Sequence, residues 1–118
     1  MTRYSRFLVP ILWLTVAVVY ILAILPRDDV PGMPGTDKVQ HIAAFITLGV
    51  LSALALPRLS LLKIALSLAF FGALIEFTQM IPVLHRDASL LDWLADLSAI
   101  AGGLLIVAPF RRNLGNAR

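Results

Sequence analysis

Four residues of this sequence carry ionisable side chains inside long apolar stretches: His41, Glu76, Asp92 and Asp96. An imidazole brought together with carboxylates can pass a proton, hold a cation through nitrogen and oxygen donors, or orient an ionic headgroup. Such groups are costly in hydrocarbon, roughly 2.5–3.5 kcal/mol each at mid-bilayer, so each needs a partner, a proton or water. Their spacing is helical. Asp37 and His41 are four apart, Glu76 and Gln79 three apart, and Asp92 and Asp96 four apart, so each pair shares one face of a helix. Lys38 and Arg86 stand next to these pairs and could contact a phosphate. The candidate binding cluster is therefore Asp37, Lys38, His41, Glu76, Gln79, Arg86, Asp92 and Asp96.

Each member also has a purely structural use. Asp37 followed by Gln40, and Ser89-x-x-Asp92, fit helix N-caps with reciprocal partners. Gln79 could bond a neighbouring helix, and the cluster could staple the bundle through His41 with Glu76 and Arg86 with Asp92. Glu76 and Asp96 fit a structural role least well, because neither lies in a first turn and both are too short to reach water. Asp28, Asp29 and Asp87 are expected to be solvated loop charges, and Trp13, Trp93, Tyr4 and Tyr20 interface or lipid-facing aromatics. No catalytic residue is assigned, since the chain has no phosphate-binding loop, nucleophile elbow, zinc-protease helix or dinucleotide fingerprint. With no cysteine, disulfides, zinc-thiolate sites and thiol catalysis are excluded.

The elements that must position these groups follow from composition. Of 118 residues, 59% are hydrophobic and only 14% charged, with a mean hydropathy of +0.88. Soluble domains carry about 25% charged residues. Basic residues occur in no dense run, so nucleic-acid binding is excluded along with disorder and coiled coil. Four apolar runs, 7–25, 39–56, 64–84 and 90–110, each approach the ~20 residues that cross a bilayer. The predicted fold is all-α: a single membrane domain over 1–118, built as a polytopic bundle of four transmembrane helices. The first run is too long for a signal peptide and lacks a small-x-small cleavage site, so it is expected to be retained. A tight turn is expected around Pro57 and Arg58, and an irregular loop over the Pro- and Gly-rich 26–38.

Orientation follows from the basic residues. Arg3, Arg6, Arg58, Lys63, Arg111, Arg112 and Arg118 fall on one side of the four runs, against Arg27, Lys38 and Arg86 on the other. Both termini are expected in the cytoplasm, in a multi-pass protein of the inner membrane. At ~1.5 Å per residue, His41, Glu76 and Asp96 each lie roughly 6–10 Å inside the outer end of their helices, which predicts one shared outer-leaflet site. Below Asp96 the stripe continues as Ala99 and Gly103, small residues that let the fourth helix pack centrally.

In order, DKVQH (37–41), IEFTQ (75–79), RDASLLD (86–92) and ADLSAIAGG (95–103) resemble the VanZ-like family of small bacterial membrane proteins. The likeness covers most of the chain after the first helix. It departs at Asp96 and Ala99, where the family often carries Asn and Gly. The resemblance implies a cell-envelope protein; its named member is associated with low-level resistance to the glycopeptide teicoplanin, an antibiotic-resistance role that need not extend to this chain. Three functions are compatible with the residues: binding of a lipid headgroup or lipid-linked cell-wall precursor, an enzyme acting on such a substrate, and a proton- or ion-coupled transporter subunit. The first is favoured over the enzyme, and no cofactor is predicted. The excess of acids over the two cations would nevertheless suit a divalent cation held by Glu76, Asp92 or Asp96. A homo-oligomer is compatible with the composition and is required by the transporter reading.

Overall fold

The structure, a computed structural model, describes residues 3–25, 37–82 and 90–116. Four helices follow in order: α1 (Arg3–Ile24), α2 (Asp37–Ala55), α3 (Leu61–Gln79) and α4 (Leu90–Asn116). No strand occurs among the described residues. The bundle measures 50 × 24 × 23 Å.

Three of the helices are long and apolar enough to cross a membrane, over Ser5–Ile24, Leu61–Gln79 and Leu90–Arg111. The second predicted span, 39–56, does not meet the same standard. In α2 the apolar part is the shorter Val39–Ala55, because Asp37 and Lys38 occupy its first turn.

Helix ends differ from the apolar runs for local reasons. α3 starts three residues before its run because the Ser60 hydroxyl accepts a hydrogen bond from the backbone N–H of Lys63, capping the first turn. It stops at Gln79 rather than continuing through 84, since Pro82 disfavours helical geometry in the residue before it and Met80 closes the helix with a bond to Phe77 O. α4 runs past 110 to Asn116, through Pro109. The expected turn joins α2 and α3, with Leu59 N–H donating to Leu56 O.

Packing is uneven. The α2–α4 pair makes the most extensive interface, and glycine is the cause. A Cβ built on Gly103 would stand 2.9 Å from Ile46 O, so only hydrogen fits where the two backbones meet. Phe45, Leu48, Ile75 and Ile100 fill the centre of the bundle and are fully buried. The outer surface is apolar too, with Phe7, Trp13, Phe70, Phe77 and Leu105 all more than 60% exposed. Apolar exposure on that scale fits a lipid surrounding. Hydroxyls on this surface are satisfied internally: Thr15, Thr47, Ser67, Thr78 and Ser98 each donate to the carbonyl four residues back.

The two ends of the bundle differ in charge. At one end Arg58 and Lys63 are exposed, and Arg111 Nη2 donates to the carbonyls of Leu56, at 2.9 Å, and Pro57, at 2.7 Å, with Leu59 O as a third acceptor. That clamp fixes the end of α4 to the α2–α3 turn. The starts of α2 and α4 and the end of α3 meet at the opposite end, where the ionisable groups lie.

Candidate functional site

His41 stands one turn inside α2, Glu76 one turn before the end of α3, and Asp96 nearly two turns inside α4. Antiparallel packing of α3 against the other two brings these positions to one level. His41 Nδ1 and Asp96 Oδ1 are hydrogen-bonded at 3.2 Å, and Glu76 joins them so that one donor atom from each residue lies within 4.8 Å of the others. Three of the eight candidate residues, those expected at one depth, therefore converge from three helices.

Asp96 is the most enclosed member, with 0% of its surface exposed. Its Oδ1 faces His41, whereas its Oδ2 is buried with no hydrogen-bond partner. That second oxygen is turned towards α3. A Cβ on Gly72, one turn before Glu76, would come 3.3 Å from it and 3.4 Å from both Phe45 and Trp93. Gly72 thus lets Asp96 Oδ2 approach α3 more closely than a residue with a Cβ would. The neighbours are fixed, because Phe45 is buried and the Trp93 indole donates to Ala69 O on α3 at 3.0 Å.

The other candidates divide. Gln79 is buried but turned to α1, where its Nε2 donates to Ala23 O at 2.9 Å, so its amide serves helix packing. Asp92 is half-buried, one turn before Asp96 on α4. Asp37 and Lys38 begin α2, but their side chains lie outside what is described. Arg86 and Asp87 lie outside the described residues, as does the Ser89 cap expected for α4. Two aromatics expected to face lipid or the interface have inward partners instead. Tyr20 hydroxyl and Thr78 Oγ1 are hydrogen-bonded at 2.9 Å, and the Tyr20 ring packs on Phe71, tying α1 to α3; Trp93 is the second. Sequence reasoning missed Gly72, although its place four residues before Glu76, on the same face, was the available signal.

A cleft of about 320 Å³ lies towards the basic end, walled by Leu12, Trp13 and Val16 of α1, Ser52 of α2, and Leu68 and Phe71 of α3. It holds no ionisable group, so the chemistry of the described residues is concentrated at His41, Glu76 and Asp96.

No protein-family model, curated protein or solved structure matches the chain. The arrangement can bind a cation through N and O donors, orient a polar headgroup, or use Asp96 to align His41 as a base.

Proposed function

We propose that this chain is a four-crossing protein of the bacterial cytoplasmic membrane, with both termini inside, whose His41–Glu76–Asp96 cluster binds the headgroup of a lipid or lipid-linked cell-wall precursor at the outer leaflet. One observation carries the reading: a buried carboxylate on α4, hydrogen-bonded to a histidine on α2 and faced by a glutamate on α3, at the end of the bundle opposite the basic one. Polar groups at membrane depth are retained where they serve a ligand or pathway, and three helices converging on one point exceed what a single interhelical bond needs.

The exposed Arg58 and Lys63, with Arg111 beside them, support a cytoplasmic location for their end, which leaves the cluster near the outer surface. α2 has 19 residues, about 28 Å at the rise of an α-helix, and packs along α4. That length and that partner support a fourth crossing. The ordered motifs shared with VanZ-like proteins agree with an envelope role, and Lys38, next to the cluster in sequence, would add positive charge for a phosphate.

Native mass spectrometry of the gently solubilised protein, wild type beside Glu76→Ala, tests the binding. A phospholipid or prenyl-phosphate adduct present in the wild type and lost in an equally stable variant is expected. Bare protein in both samples overturns the headgroup reading. Thiol labelling of Arg58→Cys from the inner face only, and of Gln40→Cys from the outer face only, tests the orientation.

The 3.2 Å bond between His41 and Asp96 also favours a second reading, a membrane enzyme in which Asp96 orients His41 as general base. That reading requires turnover of a lipid-linked substrate by pure protein, abolished in His41→Ala.

A further inference from the structure

We propose that His41, Glu76 and Asp96 are the protein ligands of a divalent transition-metal ion, of the zinc or manganese class, held where α2, α3 and α4 meet. The donor set is one imidazole nitrogen and two carboxylates, each from a different helix. Imidazole suits zinc and carboxylate suits manganese, whereas magnesium and calcium favour oxygen alone.

The distances fit. Zinc bonds of about 2.0–2.2 Å place tetrahedral ligand atoms about 3.4 Å apart. His41 Nδ1 and Asp96 Oδ1 are already 3.2 Å apart. The widest donor separation is within 4.8 Å and closes by roughly 1.4 Å through rotation of the longer Glu76 side chain. The orphaned Asp96 Oδ2 is an independent sign. A fully buried carboxylate oxygen without a hydrogen-bond partner is expensive, and this one belongs to the central residue of the three, on its α3 side beside Gly72. A cation bound between the helices supplies the missing electrostatic partner for that carboxylate.

Three protein ligands leave a coordination position open, the arrangement of metal sites that take a water or a substrate oxygen. In this membrane the open position would accept a phosphate oxygen of a lipid headgroup, which two carboxylates alone would repel. That last step rests on the headgroup reading above; the metal site stands on the ligand geometry by itself.

The test uses tag-free full-length protein in detergent, stripped with EDTA and then incubated with Zn²⁺, Mn²⁺ or Mg²⁺. Metal content is measured by elemental mass spectrometry and bound lipid by native mass spectrometry. Zn²⁺ or Mn²⁺ should return at about one ion per chain, with Mg²⁺ retained far less, and should raise the unfolding temperature of the wild type. Asp96→Asn and Glu76→Gln should weaken binding at least about tenfold, while Gln79→Leu binds as wild type. If the wild-type chain retains neither ion, or both cluster variants bind like it, the metal site is refuted; the wild-type arm decides even if a variant does not fold. A lipid adduct persisting on protein that takes up no metal refutes this inference and leaves the headgroup reading standing. Metal bound through Asp96 with no lipid in any sample supports the site and overturns the headgroup reading.

Discussion

Replacing Gly103 by Ala tests the contact that sets the α2–α4 spacing, and the structure supplies its own control one residue away. The added Cβ would meet Ile46 O at 2.9 Å and Ile46 Cα at 3.3 Å, both backbone atoms that no rotamer change can move. Ordinary contact begins near 3.4 Å, so the helices must separate by about 0.5 Å or the contact stays repulsive. At Gly102 the same Cβ meets nothing within 4 Å. Both substitutions gain the same helix propensity, about 0.8–1.0 kcal/mol, so their difference isolates the steric cost. Overpacking of this kind costs about 1–3 kcal/mol, and that is the expected stability gap between the two variants. Thermal unfolding in one detergent, followed by helical circular dichroism, reads it: Gly102→Ala should melt at or above wild type and Gly103→Ala several degrees below. The separation should also reach the site, because Asp96 and Gly103 are seven residues apart on one stripe of α4. Gly103→Ala unfolding at or above Gly102→Ala would refute this account of the interface.

Three further outcomes are expected. Gln79→Leu should lower stability by about 0.6–1.7 kcal/mol through loss of the bond to Ala23 O; an unchanged denaturation midpoint would contradict that role. Arg111→Leu removes the charged donor shared by three carbonyls at the α2–α3 turn, of which Leu56 O keeps the Leu59 N–H, at a cost of about 1.5–3 kcal/mol. Hydrogen exchange at the amides of 56–60 should quicken in that variant, and wild-type protection there would count against the clamp. Tyr20→Phe should cost well under the about 3–5 kcal/mol of a large aromatic-to-Ala truncation, since the ring still packs on Phe71 and only the bond to Thr78 is lost. Equal melting of Tyr20→Phe and Tyr20→Ala would show that the hydroxyl, not the ring, holds α1 to α3.

Hydropathy made the four helices legible in the sequence, because apolar length is a local property of the chain. Depth arithmetic was enough to bring His41, Glu76 and Asp96 to one level, since the rise of an α-helix is fixed. The small-residue stripe of Ala99 and Gly103 likewise announced close packing by α4, and Ala99 is buried as expected. The ends of α3 were less legible from apolar runs, because the Ser60 cap and the Pro82 break depend on single residues at the edges.

Only the tertiary structure decided which polar side chains converge. Gln79 and Glu76 share a helix and roughly a face, yet rotation of α3 in the bundle turns one to α1 and the other to His41 and Asp96. Tyr20 and Trp93 carry apolar rings that suit lipid, and it is the position of a neighbouring helix that gives each an inward hydrogen bond. Helical period fixes the angle between side chains on one helix and is silent about the rotation of that helix against the next. That rotation is set by interhelical contact, here by the hydrogen atoms of Gly103 against Ile46 and of Gly72 against Asp96.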